Sequence, residues 1–130
     1  MATFQFELVS PERLLLSEEV DSVLVPGAEG EFTVFAGHAP VMSTIKPGLL
    51  SVTSGSTKTD FVLFGGFAEV GPAGLTVLAE SAIEKSSIDK ADLAQRIQNA
   101  QEDVSDATND EARAAAQERL AHLTQLQSML

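Results

Sequence analysis

With 130 residues, of which 44% are hydrophobic, the chain can hold one domain with an appendage and bury a core. A net charge of −11 repels phosphate backbones and anionic headgroups, which argues against nucleic-acid binding and direct docking on lipid. The absence of cysteine excludes disulfides, thiolate nucleophiles and Cys-ligated zinc, and the two histidines, His38 and His122, are too far apart in sequence to suggest a metal site. No apolar run reaches the length of a membrane span, and the start Met-Ala-Thr-Phe-Gln-Phe-Glu has neither a basic n-region nor an apolar h-region. The chain is therefore expected to stay in the compartment where it is made.

Composition changes sharply near residue 86. All nine glycines, all five prolines and all seven phenylalanines lie before that point. Residues 87–130 are instead rich in Ala, Gln, Leu, Asp and Glu. The first part alternates with period two. Thr3 to Val9 forms one such run and Pro11 ends it. Short apolar runs follow at Leu14 to Leu16 and Asp21 to Val25, then alternation returns at Glu31 to Phe35. Leu49 to Thr53, Asp60 to Phe64, Phe67 to Val70 and Leu75 to Ala79 complete the set, with Ser54-Gly55-Ser56 and Gly71-Pro72-Ala73-Gly74 as turns. Many short strands with regular turn signals predict a sandwich or barrel.

The second part changes to helical spacing. Asp89 is placed to cap a helix whose apolar stripe is Leu93, Ile97, Ala100 and Val104. The polar segment Ser105 to Asn109 breaks the pattern. Asp110 and Glu111 suit a new helix N-terminus, and Ala116, Leu120, Leu123, Leu126 and Leu130 form the second stripe. So short a break predicts an antiparallel hairpin. Alanine at several contact positions buries little area, so the hairpin is expected to pack weakly on the β part and to be able to undock, with a permanently docked hairpin as the alternative.

Few residues look able to do chemistry. Gly27-Ala28-Glu29-Gly30 lacks the Lys of a phosphate loop, and acids flank its glycines; it reads as a turn. Gly65-Gly66 reads as a hairpin turn or bulge. Asp103, Asp106 and Asp110 lack the Gly and terminal Glu of a calcium loop. His38 has no Ser or acid at a nucleophile–base spacing. No catalytic residue, metal ligand or cofactor is expected.

Several segments stand in order along the chain: Leu8-Val9-Ser10-Pro11-Glu12, Val25-Pro26-Gly27, Gly30-Glu31-Phe32-Thr33-Val34, Gly37-His38-Ala39-Pro40 and Ile45-Lys46-Pro47-Gly48. Gly65-Gly66-Phe67-Ala68-Glu69-Val70 and Val77-Leu78-Ala79-Glu80 complete the series. Together these segments resemble the epsilon subunit of F-type ATP synthase, the equivalent of the mitochondrial delta subunit. The resemblance covers the whole chain. It implies a ten-stranded β-sandwich over residues 1–86 and a two-helix hairpin over 87–130. It also implies a non-catalytic rotor subunit of a proton-translocating ATP synthase, peripheral on the cytoplasmic face of a bacterial inner membrane. Catalysis would lie in other subunits, and membrane contact would come only through the complex.

The resemblance assigns Glu29, Gly30 and Glu31 to the contact with the c-subunit ring, and Ser10, His38 and Ser43 to the contact with gamma. Phe32, Val34, Phe35, Val41 and Met42 could supply an apolar patch for a partner. In many members the hairpin brakes hydrolysis by contacting the alpha and beta subunits of F1 through basic residues. Here the second helix offers only Arg113, Arg119 and His122, and residues 87–130 carry four cations against eight carboxylates. Inhibition is therefore expected to be weak or absent. Some members bind ATP through Ile/Leu-Asp-x-x-Arg-Ala. The corresponding stretch keeps Ile88 and Asp89 but places Asp92 where Arg belongs and Leu93 where Ala belongs. A carboxylate in place of that cation disfavours a triphosphate.

Overall fold

Among the described residues, ten strands build the first part of the chain: β1 (Phe4–Val9), β2 (Leu14–Val20), β3 (Ser22–Gly27), β4 (Gly30–Phe35), β5 (Val41–Ile45), β6 (Gly48–Ser54), β7 (Thr57–Leu63), β8 (Gly66–Gly71), β9 (Gly74–Ala79) and β10 (Ala82–Glu84). Two helices follow, α1 (Lys90–Asp106) and α2 (Asp110–Ser128). The structure, a computed structural model, describes residues 2–130. One compact unit ends at Ser86 and the other spans Ser87–Leu130.

The strands pair in two runs, β4-β3-β6-β7-β10 and β5-β8-β9-β1-β2. Among the described residues only the pair Gly27↔Ile45 joins β3 to β5, so the sheet curls there into two layers. Every pairing is antiparallel except β1 with β9. Period-two alternation sends Phe4, Phe6 and Leu8 of β1 inward, where they join Val23 and Val25 of β3, Leu50 and Val52 of β6, and Leu75 and Val77 of β9 in one core. Both layers contribute to that core, as expected of a sandwich.

The structure departs from the sequence reading in several places. β2 continues to Val20, beyond the Leu14 to Leu16 run. β5 and the three-residue β10 were not marked by alternation. Gly65-Gly66 is neither a hairpin turn nor a bulge. It links β7 to β8, which pair with different strands, so the chain crosses there from one layer to the other. Finally, α1 runs through Ser105 to Asp106, which confines the break to residues 107–109.

In the hairpin unit, Asp89 caps α1 as the sequence suggests. Its Oδ1 accepts from the backbone N–H groups of Ala91 and Asp92 at 2.9 and 3.1 Å. Asn109 caps α2 by accepting from the Ala112 N–H at 2.7 Å. The buried positions Leu93, Ala100, Ala116 and Leu126 all fall on the expected stripes. Asp89→Ala should cost about 1 kcal/mol of hairpin stability. Helical circular dichroism under urea would register this as an earlier loss of signal, with the β signal unmoved.

Candidate interaction surfaces

The β3–β4 turn forms the first surface. Gly27 pairs with Gly30, leaving Ala28 and Glu29 as the turn. Neither turn residue has a positive φ, so this is not one of the mirror-image turns that match strand twist; Gly30 absorbs the difference at φ 136°. The Ala28 N–H donates to Thr44 O at 2.9 Å and the Lys46 N–H to Pro26 O at 3.1 Å, which ties the turn to the end of β5. Glu29, Gly30 and Glu31 are all exposed on this braced projection.

The second surface is the outer face of β5-β8-β9-β1-β2. Register places Phe67 opposite Leu78, Leu78 beside Val9, and Val9 opposite Leu14. These four apolar residues make one row across four strands. Phe67 and Leu78 are each 52% exposed and Leu14 is 56% exposed. Met42, 67% exposed, lines a shallow depression with Phe67, Glu69, Thr76 and Leu78. The adjacent rung starts at Met42 and is polar from there on: Glu69, Thr76, Glu7 and Ser17 follow one another in register. By register the outer face carries Glu7, Glu19 and Glu69, and the five strands contain no Lys or Arg. The face is thus an apolar row edged by carboxylates.

The residues assigned to the gamma contact each bond within their own segment. The Ser10 hydroxyl donates to Arg13 O at 3.3 Å and closes the β1–β2 connection. His38 Nδ1 donates to Ala39 O at 2.7 Å, and its ring centroid lies 6.4 Å from that of Phe32. Ser43 is half-buried, pairs with the inward-facing Ala68, and donates its hydroxyl to Thr44 O at 2.9 Å. Of the apolar patch expected near them, Phe35, Val41 and Met42 are exposed, Phe32 is half-buried and Val34 is buried. The row of Phe67, Leu78, Val9 and Leu14 was not anticipated as a patch. Its signal lies in the pairing of segments distant in sequence.

In the hairpin, Arg96 pairs with Asp92 at 2.8 Å and Arg119 with Asp103 at 3.2 Å across the two helices. Arg113 pairs with Asp110 at 3.2 Å and also donates to Ala107 O at 3.2 Å. All these pairs are solvent-exposed, so each is worth little energetically. They do occupy Asp103 and Asp110, and among the described residues no group of three or more His, Asp or Glu side chains is placed to hold a metal ion. Asp89, half of the residual ATP-type motif, is engaged as the helix cap, and Asp92 faces Arg96. Among the described residues no helix is long and apolar enough to cross a membrane.

The fold defines the class first: a ten-stranded β-sandwich followed by an antiparallel helical hairpin. Residues 3–85 match the family described as ATP synthase, Delta/Epsilon chain, beta-sandwich domain, and the chain belongs to that family. It is 57% identical over 128 residues to the ATP synthase epsilon chain of Mesorhizobium japonicum, covering 98% of this chain and 95% of the relative. The ATP synthase epsilon chain of Rhizobium etli is 50% identical over 128 residues, with the same coverage of 98% and 95%. Among solved structures, a chain in the cryo-EM structure of the Euglena gracilis mitochondrial ATP synthase, OSCP/F1/c-ring, superposes with a TM-score of 0.75 at 26% identity, covering 98% of this chain and 81% of that one. A chain in the central stalk/c-ring structure of the Tetrahymena thermophila mitochondrial ATP synthase shares the fold, with a TM-score of 0.58 at 13% identity and 97% coverage of both chains. The family expected from the sequence is the family found.

Proposed function

We propose that the chain is the non-catalytic rotor subunit that couples the c-subunit ring to gamma in a proton-translocating ATP synthase. In this reading, catalysis resides in other subunits, and the chain is held at the cytoplasmic face of a bacterial inner membrane by the complex alone. The observation that carries it is the apolar row of Phe67, Leu78, Val9 and Leu14. Aligned large side chains left half-exposed on a rigid sheet are a surface awaiting a partner. The acidic rung beside the row favours a partner with an apolar centre and a basic rim. This face is assigned to gamma, with Ser10 and His38 at its margins. The braced Glu29-Gly30-Glu31 turn is assigned to the polar loops of the c-ring, because a torque-bearing contact needs side chains fixed on a stiff platform.

Co-expression with gamma, followed by size exclusion, tests the reading: the two should co-elute, and separate elution under native conditions would count against it. The hairpin is assigned at most a weak brake through Arg113, Arg119 and His122, since carboxylates outnumber cations there. Truncation after Ser87 should leave the latent ATP hydrolysis of the purified complex largely unchanged; a large release of activity would refute this. ATP in large excess should leave the melting temperature of the isolated chain unmoved, because a ligand that binds the native state must raise it. A reproducible rise would restore nucleotide sensing as a role.

A further inference from the structure

We infer that the free edge of β4 accepts an extended segment of gamma as an additional strand of the sandwich. This rests on the rotor reading above and specifies how part of that contact is made.

β4 pairs with β3 alone, and among the described residues no other strand lies along its far side. The orientation of its backbone follows from β3. Pro26 O accepts from Lys46 N–H on the β5 side, so Pro26 directs its carbonyl away from β4. Its partner Glu31 must then direct its own N–H and C=O away from β3, and alternation gives the same orientation to Thr33 and Phe35. Phe35 O is taken by the His38 N–H at 3.1 Å. The N–H groups of Glu31, Thr33 and Phe35 and the carbonyls of Glu31 and Thr33 remain as a ladder with one side open.

Edges of this kind are normally blunted by Lys, Pro, a bulge or shortness. β10 is three residues long, and β2 carries Glu18 and Glu19 and faces a bulge at Leu8/Val9. β4, Gly-Glu-Phe-Thr-Val-Phe, has only Glu31 at its start and no bulge in its pairing. Its far end shows Phe35, 59% exposed, and the chain continues through exposed Val41 to Met42, which borders the apolar face assigned to gamma. An open ladder is matched by an extended backbone. The Glu29-Gly30-Glu31 turn at one end is assigned to the c-ring, so the gamma segment is selected toward the other end, where it carries apolar residues against Phe35. The net charge of −11 disfavours a second copy of this chain as the occupant.

The test is amide hydrogen exchange on the co-purified complex with gamma, compared with the free chain. Exchange at Glu31, Thr33 and Phe35 should slow by at least about tenfold in the complex, while Phe32 and Val34, already bonded to β3, change little. Thr33→Pro deletes an N–H that faces outward, where proline is tolerated, and should weaken gamma binding by about tenfold or more, whereas Thr33→Ala keeps the N–H and should bind as the parent does. If gamma binds but these amides exchange as in the free chain, the strand is not added and the rotor reading still stands. Failure of gamma to bind at all overturns both. Concentration-dependent protection without gamma would make a second copy the occupant and overturn the inference. Should Thr33→Pro fail to fold, the exchange pattern of the parent decides alone.

Discussion

Gly66→Ala is expected to destabilise the sandwich by about 3 kcal/mol or more, enough to unfold a marginal domain. Gly66 has φ 128°, a conformation that a Cβ strongly disfavours. A Cβ built there would collide with Leu78 O and lie 2.9 Å from the Ala79 Cα, both of them backbone atoms that cannot swing away. Gly66 is also where the chain passes between layers and β8 begins its pairing with both β5 and β9. Relief would therefore require moving β9 and with it Leu75 and Val77 of the core. Gly71→Ala provides the control: no heavy atom lies within 4 Å of its added Cβ, and the change should be close to neutral. Urea unfolding should show a midpoint lowered by about 1 M or more for Gly66→Ala. Equal midpoints for the two variants would mean that the crossing is not as tightly built as described.

Phe67→Asp combined with Leu78→Asp is expected to weaken gamma binding by at least about a hundredfold while leaving the chain folded. Both side chains are half-exposed, so the isolated chain loses only part of their burial. In an interface, two carboxylates at the centre of the row would be desolvated against apolar groups, and central positions of this kind cost about 2 kcal/mol or more each when disrupted. The unfolding midpoint of the free double variant checks that the loss is not one of folding. Glu69→Gln, beside the row, should have a small effect that grows at low salt, as expected for a charge at the rim. Unchanged affinity for the double variant would remove this face from the gamma contact.

The sandwich was readable in the sequence because most strands carry their inner face as strict alternation: Phe4, Phe6 and Leu8 show it directly. β5 was obscured because its buried side carries only Ser43 and Ile45, with a hydroxyl where the pattern needs an apolar group, while Val41 and Met42 are both exposed. β10 is too short to have a period. The hairpin was legible because caps and stripes are local signals, except at the start of its break, where Ser105 and Asp106 continue α1. The apolar row was not legible for the opposite reason. Val9, Leu14, Phe67 and Leu78 are unremarkable where they stand in the chain, and only the parallel pairing of β1 with β9 sets them side by side. Glu29 to Glu31 is legible because tight turns are written in glycine and proline.

The chain has no cysteine, so a single introduced thiol reports one position without background. In the assembled ATP synthase, Leu78→Cys should cross-link to gamma and Glu31→Cys to a c subunit, each when the facing partner also carries a thiol. The rotor account predicts both products, with the partners not interchanged. Interchanged partners, or cross-links from neither position in an intact complex, would contradict it.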